Sequence, residues 1–127
     1  MIKTRKKTSL PQLLKKAEKV FNAYIRKRDS ENESFNCISC GRDFSTDYMN
    51  AGHYVPVKNS SLLRFNEWNV NGQCVGCNLF DQFHLVGYRK RLIGKIGSEA
   101  VEYLDKHCRD KHKWNRCELE ELINKYK

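Results

Sequence analysis

The sequence has no run of apolar residues that approaches the roughly 18 needed for a membrane-spanning helix. Its opening stretch, MIKTRKKTSL, lacks the apolar segment of a secretory signal. It also has no internal repeat and no low-complexity tract. We therefore expect a protein of a reducing cytoplasm, where its six cysteines are not paired as disulfides and need another explanation.

Charge and a moderate apolar content are what the sequence does have. Of its 127 residues, 39% are hydrophobic and 31% are charged, which predicts one globular domain with a modest core. A bound metal often reinforces a core of this size. The net charge of +9 and the pI near 9.3 favour a polyanionic partner, nucleic acid ahead of an anionic membrane. A basic surface that only keeps the protein soluble is the alternative.

The chain divides into a basic tail, residues 1–9, and a single predicted domain, residues 10–127. Apolar residues at helical spacing between Leu10 and Ile25 predict an amphipathic helix that ends at the polar cluster of residues 29–34. The centre of the chain is broken by Gly, Asn, Ser and Pro. Short strands or extended loops are predicted there at residues 35–37, 51–55 and 62–65.

Helical spacing returns in the last third of the chain. It begins after Cys74, continues over residues 85–96 and 99–104, and ends in a last amphipathic helix around residues 119–126. A helix, an irregular β-rich centre and further helices together predict an α+β fold.

Four cysteines form two Cys-x-x-Cys pairs, CISC and CVGC: Cys37, Cys40, Cys74 and Cys77. Each pair presents two thiolates at the separation that a tetrahedral ion requires, and two pairs close the coordination shell. The spacing therefore predicts a structural zinc ion, with a redox pair or an iron–sulfur cluster as alternatives. The other two cysteines lack this spacing. Cys108 and Cys117 could form a second metal site with His107 and His112, or they could be two spare thiols.

A single histidine, His53, lies in the segment NAGHYVP between the two cysteine pairs. It could fill the core or act as a general base. The order His53, Asn69 and then Cys-x-x-Cys followed by Asn78 resembles that of HNH, or ββα-metal, nucleases. In that family a β-hairpin carries the base, and a helix begins at the second cysteine pair.

From about Leu10 to Tyr126 the sequence resembles the NinG (Rap) recombination proteins of lambdoid phages. The matching stretches are NAYIRKRD, CISCG, AGHY, LRFNEWNVNGQCVGCN, LVGYR, RLIGKIGSEAV and HKW. The cysteine, histidine and asparagine layout is also similar to that of phage recombination endonuclease VII. These resemblances imply a ββα-metal core over residues 35–90 and an endonuclease for branched DNA such as Holliday junctions and D-loops. They also imply a phage or prophage protein in a bacterial host.

The resemblance implies a role for each site residue. His53 would be the general base, Asn78 would bind a catalytic Mg²⁺ or Mn²⁺, and Asn69 would hold the hairpin loop that orients His53. Many HNH nucleases have an Asp immediately before the base, where this chain has Gly52. Another metal ligand is therefore expected, His84 first and Asp81 second.

DNA binding is expected to rest on phosphate contacts from basic residues near the site: Arg64, Arg89, Lys90 and Arg91. Three aromatic residues are assigned to packing, with stacking on opened bases as the alternative: Tyr54, Trp68 and Trp114. Because resolvases cut two strands symmetrically, a homodimer is a reasonable hypothesis. The rival functions are a zinc-ribbon DNA-binding module without catalysis, a sequence-tolerant HNH nuclease, and an adaptor that binds a partner through its last helix.

Overall fold

The computed structural model describes residues 8–127. Residues 1–7, the greater part of the predicted basic tail, lie outside that range. The chain begins with helix α1, Leu10–Arg28, which starts at a capping box between Ser9 and Gln12. Its buried residues recur every four positions: Leu13, Ala17, Phe21 and Ile25. The helix ends where residues 29–34 begin, so the prediction from the sequence is confirmed.

Five short strands follow α1 and form two antiparallel sheets. Strands β1 (Ser30–Glu31), β2 (Ser34–Asn36) and β3 (Asp43–Ser45) make a small sheet in that order. Strands β4 (Met49–His53) and β5 (Val70–Cys74) pair over their full length, from Met49 opposite Cys74 to His53 opposite Val70. The hairpin therefore carries His53 at one end and a cysteine of the second pair at the other.

Four helices complete the described chain: α2 (Val75–Leu79), α3 (His84–Ile96), α4 (Ser98–Lys106) and α5 (Arg116–Tyr126). Helix α2 follows β5 without a linker. Between α3 and α4 the chain turns at Gly97, whose φ of 90° favours glycine. The mixed α+β class is thus confirmed. None of the helices in residues 8–127 combines the length and apolar character that a membrane crossing needs.

The segment predicted as strand or extended loop at residues 62–65 is different in the structure. A 3-10 helix, Ser61–Leu63, lies there, and Leu63 is buried against α3 and α4. Short apolar pieces carry no period that separates a strand from a single helical turn, which is why the sequence did not distinguish them.

Two apolar clusters pack the helices around the β4–β5 hairpin. The first packs α1 against α5 and includes Phe65 and Val70. The second packs α3 against α4 and includes Ile38 of the first cysteine pair, together with Val55. The hairpin and the cysteine pairs are therefore fixed by helices from both ends of the chain.

Candidate metal centre and active-site cleft

The two cysteine pairs converge on one point. The sulfur atoms of Cys37, Cys40, Cys74 and Cys77 all lie within 4.8 Å of one another. In a tetrahedral site with Zn–S bonds of about 2.3 Å, the sulfurs are about 3.8 Å apart, so the four thiols fit a zinc ion with little adjustment. Three of the four cysteines are buried, which suits a closed structural site.

Backbone N–H groups point at the sulfur atoms of this cluster. The N–H of Cys74 donates to Sγ of Cys37 at 3.3 Å, and the N–H of Cys77 donates to Sγ of Cys74 at 3.4 Å. Burial alone would raise the pKa of the Cys37 thiol, but the N–H groups of Cys40, Cys74 and Ser39 together lower it. The backbone is therefore arranged to stabilise thiolate at Cys37, the form that binds metal.

Helix α3 packs closely on the first cysteine pair. A Cβ atom at Gly87 would lie 2.0 Å from the carbonyl oxygen of Ser39, so only glycine allows this approach. The guanidinium of Arg91 donates to the same carbonyl at 2.7 Å. Arg91 was a predicted DNA contact, and here it links α3 to the cysteine cluster.

His53, the last residue of β4, is half-buried. Its Nε2 atom lies 3.1 Å from the carbonyl oxygen of Arg64. Because a carbonyl only accepts, Nε2 carries the proton and Nδ1 holds the lone pair of the neutral ring. Burial lowers the pKa of His53 below its ordinary value, although this hydrogen bond opposes the shift. The imidazole is thus kept neutral and able to accept a proton at Nδ1.

Asn69 is fully buried and fastens the segment that follows His53. Its Nδ2 donates to the carbonyls of Val55, at 3.0 Å, and Leu63, at 3.2 Å. Its Oδ1 accepts the N–H of Val55 at 2.8 Å. The Asn69 carboxamide therefore holds both ends of the loop from Val55 to Leu63. The next residue, Arg64, has the carbonyl that binds the imidazole of His53.

His53, Asn78 and His84 line one cleft of about 330 Å³. They reach it from three elements, since His53 ends β4, Asn78 lies in α2 and His84 begins α3. The remaining wall is mostly apolar and consists of Ala51, Tyr54, Pro56, Val57 and Leu85. Asp81, the second candidate ligand, does not line this cleft. Its Oδ1 accepts the N–H of Phe83 at 2.8 Å and caps the turn before α3.

Gln73 is a site residue that the sequence reasoning missed. It is fully buried, and one end of its carboxamide lies 2.7 Å from Oγ of Ser39 and 2.9 Å from Nδ1 of His84. The other end has no hydrogen-bond partner within residues 8–127. It lies over Gly52, where an added Cβ would be 1.9 Å from Oε1. Gln73 thus contacts His84, and a side chain at position 52 would require the Gln73 carboxamide to move.

One signal in the sequence could have found Gln73. Alternate residues of a strand share a face, and Asn71 and Gln73 are polar positions two apart in β5, immediately before the second cysteine pair. Both are buried. Buried carboxamides on one face of a strand indicate a polar site.

Polar side chains anchor the β4–β5 hairpin to α3 and to Asp29, the residue that follows α1. The hydroxyl of Tyr88 donates to the carbonyl of Gly52 at 2.6 Å and accepts from Nδ2 of Asn71 at 3.2 Å. On the neighbouring strand, the carboxylate of Asp29 accepts the N–H of Gly72 at 2.8 Å. These bonds fix the hairpin on which the cleft is built.

Two predicted phosphate contacts pair with carboxylates. Arg64 forms a salt bridge with Glu18 of α1, and Arg89 forms one with Asp105 of α4 at 2.9 Å. Lys90 is exposed, and among residues 8–127 it pairs with no carboxylate. Of these three side chains, Lys90 therefore keeps its charge fully available to a ligand.

The structure does not bring together the residues considered for a second metal site: His107, Cys108, His112 and Cys117. Within residues 8–127, the cysteine cluster is the only group of such ligands close enough to hold an ion. His107 instead bonds Asp110, and His112 bonds Glu118 at 2.7 Å.

The statistical model of the bacteriophage lambda NinG protein family matches residues 1–127. The chain belongs to the NinG family. It is 39% identical over 113 residues to protein ninG of Escherichia phage lambda, which covers 89% of this chain and 53% of that relative. It is 39% identical to protein ninG of Escherichia phage 933W and 37% identical to that of Salmonella phage P22, over 89% of this chain in both cases.

This NinG chain spans about half the length of the curated relatives that it matches: 54% of the 933W protein and 53% of the P22 protein. No solved structure matches it. The cleft and the thiol cluster both lie within the part that the family model covers.

Proposed function

We propose that this protein is a metal-dependent DNA endonuclease with an HNH-like ββα-metal core, acting on branched recombination intermediates. The observation that carries the proposal is the shared cleft of His53 and Asn78 beside a tetrathiol cluster. A hairpin followed at once by a helix from the second cysteine pair supplies the order of elements that such a core requires. A zinc module that only binds DNA has no use for a neutral imidazole held in an open cleft.

His53 would activate the nucleophile. Its Nδ1 takes a proton from a water molecule, and the resulting hydroxide attacks the phosphorus of the scissile phosphodiester. The bond from phosphorus to the 3′-oxygen breaks, and that oxygen takes a proton from solvent. The products therefore carry 5′-phosphate and 3′-hydroxyl ends. Asn69 contributes by holding the loop whose carbonyl at Arg64 orients the ring.

The donors around the cleft fit a divalent cation. Asn78 offers a carboxamide oxygen, which suits Mg²⁺ or Mn²⁺, and His84 an imidazole nitrogen, which suits a transition-metal ion such as Mn²⁺ better than Mg²⁺. When bound, such a cation supplies positive charge to the phosphate and to the departing 3′-oxygen. Asn78 is neutral, so it leaves that charge undiminished.

His84 needs a defined tautomer to act as a ligand. To present the lone pair of Nε2 to the cleft, it must carry its proton on Nδ1, the atom 2.9 Å from the Gln73 carboxamide. In the structure Nε2 of Gln73 faces Nδ1, so this tautomer requires the carboxamide to turn over, which brings its oxygen to Nδ1 and makes the hydroxyl of Ser39 the donor. Gln73 would then accept a hydrogen bond from that N–H and hold His84 as the second ligand. His84 would replace the Asp that many HNH nucleases have at the position of Gly52.

The proposal is tested with a synthetic four-way junction and a linear duplex of the same arm sequences. We expect the wild-type protein to cleave the junction when Mg²⁺ or Mn²⁺ is present and to cleave the duplex more slowly. In EDTA it should cleave neither. Equal rates on both substrates would indicate a nuclease without structural specificity. Binding of both substrates without cleavage in any metal would contradict the proposal and favour the zinc-ribbon module.

A further inference from the structure

Four large apolar side chains next to the cleft are turned out into solvent. Their exposed fractions are 62% for Leu79, 78% for Phe80, 76% for Phe83 and 74% for Val86. We refer to these four residues as the apolar patch. Soluble monomers rarely expose such a cluster unless another molecule covers it in function.

The patch is held in place by its backbone. The N–H of Phe80 donates to the carbonyl of Gly76 at 3.0 Å, and the N–H of Val86 donates to the carbonyl of Phe83 at 3.1 Å. The carboxylate of Asp81 accepts the N–H of Phe83 at 2.8 Å. Phe80 and Phe83 are thus presented by a hydrogen-bonded turn, which lowers the entropy lost when a ligand binds them.

The position of the patch identifies what covers it. Leu79, Phe80 and Phe83 lie between Asn78 and His84 in the chain, Val86 lies two residues beyond His84, and both Asn78 and His84 line the cleft. A DNA strand whose phosphate enters the cleft therefore passes beside the patch. On α3, Lys90 follows Val86 by one helical turn and lies on the same face, where it can meet a phosphate.

A second copy of the protein fits the patch less well. Leu85 lies between Val86 and His84 and forms part of the cleft wall. A subunit seated on the patch would therefore stand at the mouth of the cleft and obstruct the substrate. Bases carry flat apolar faces that stack on aromatic rings, and at a branch point they are unpaired or easily unstacked.

We propose that Phe80 and Phe83 stack on bases opened at the branch point of DNA and so position the adjoining strand in the cleft. This inference rests on the proposed function, and it names the feature of the substrate that the protein selects. The aromatic residues considered from the sequence are less available. Tyr54 bonds Asp105, Trp114 packs edge-on against Phe65, and Trp68 packs edge-on against Tyr103.

The test measures DNA binding by the zinc-loaded protein with no Mg²⁺ or Mn²⁺ added, so that it does not depend on cleavage. Fluorescence anisotropy compares a four-way junction with a linear duplex for wild type, the Phe80→Ser/Phe83→Ser double variant and a Tyr48→Ser control. Tyr48 is 59% exposed and lies outside the cleft. We expect the double variant to lose roughly tenfold or more in junction affinity, with duplex affinity within about twofold of wild type. The control should match wild type on both.

A second pair of variants separates stacking from apolar contact with protein. Phe80→Trp/Phe83→Trp should retain junction affinity, and Phe80→Leu/Phe83→Leu should lose most of it. 2-Aminopurine placed at the branch point should be quenched by wild type and not by the leucine variant. Sedimentation equilibrium of wild type and of the serine variant, alone and on the junction, reports whether the patch joins two copies.

The outcomes separate this inference from the proposed function. If wild type cleaves the junction and the serine variant binds it as tightly as wild type, the stacking role is wrong while the nuclease proposal stands. An equal loss on junction and duplex, or a dimer of wild type that the serine variant abolishes, would also overturn the stacking role. If wild type binds no branched DNA, both proposals fail together.

Discussion

The carboxamide of Gln73 occupies the space beside Gly52 in which any larger side chain would have to stand. An added Cβ at position 52 would lie 1.9 Å from Oε1 of Gln73. The same carboxamide contacts His84, which lines the cleft with His53. The absence of an acidic residue before His53 is therefore coupled to the presence of Gln73 on the neighbouring strand.

Replacing Gly52 with Ala should destabilise the protein by about 1–3 kcal/mol, because Gln73 must move and break its contacts with Ser39 and His84. Urea denaturation measures the change. In the Gly52→Ala/Gln73→Ala double variant the clash is absent, so the two effects should be strongly non-additive. Additive losses would show that the two positions are independent.

The tetrathiol cluster should bind one zinc ion per chain and support the fold. Cys40→Ser removes a ligand and should lower zinc content and the free energy of unfolding together, since a structural zinc contributes directly to folding. The matched control is Cys117→Ser, because Cys117 is exposed on α5 and outside the cluster. Zinc release on addition of a thiol reagent, followed with a chromogenic chelator, measures the zinc content of both variants. Urea denaturation measures their free energy of unfolding. Full zinc content in Cys40→Ser would contradict the assignment.

In a plot of cleavage rate against pH, the fall on the acid side should have its midpoint below pH 6.5. Burial lowers the pKa of His53, so the neutral base persists to lower pH than in an exposed histidine, and the rate should fall only as pH drops through this lowered pKa. NMR titration of the His53 ring in the zinc-loaded protein, with no Mg²⁺ or Mn²⁺ added, should give the same midpoint. A midpoint above 6.5, or a rate that is flat through it, would argue against His53 as the base.

The second metal ligand can be assigned by comparing His84→Ala with Asp81→Ala. Loss of a ligand should weaken Mn²⁺ binding by roughly tenfold or more, whereas Asp81 lies outside the cleft and its loss should change affinity by less than about twofold. Calorimetric titration of zinc-loaded protein with Mn²⁺ measures both variants without DNA. A larger effect from Asp81→Ala would transfer the role to that residue.

Much of the frame is local in sequence and could be predicted from it. The buried positions of α1 recur every four residues after a cap at Ser9, so the pattern defines both its start and its core face. The spacing within CISC and CVGC identified the metal cluster in the same way, since two short-range turns present all four thiols. Both patterns are governed by neighbours a few residues apart.

The parts that escaped prediction depend on residues far apart in the chain. Arg64 and Arg89 were expected to contact phosphates, and nothing in the sequence indicated their salt bridges. Their partners, Glu18 and Asp105, come from α1 and α4. The alternation of Asn71 and Gln73 marks a polar face of β5, but it does not show that Gln73 meets Gly52 across the hairpin. Long-range pairing of this kind follows from the tertiary packing and leaves no local pattern.

The most direct measurement is single-turnover cleavage of a four-way junction in Mn²⁺ by wild type, His53→Ala and Asn78→Ala, all at equal zinc content. If His53 is the general base and Asn78 a metal ligand, each substitution should lower the rate by roughly 10²-fold or more, while junction binding without added Mg²⁺ or Mn²⁺ stays unchanged. Cleavage by His53→Ala at the wild-type rate would contradict the assignment of this cleft as the site of DNA hydrolysis.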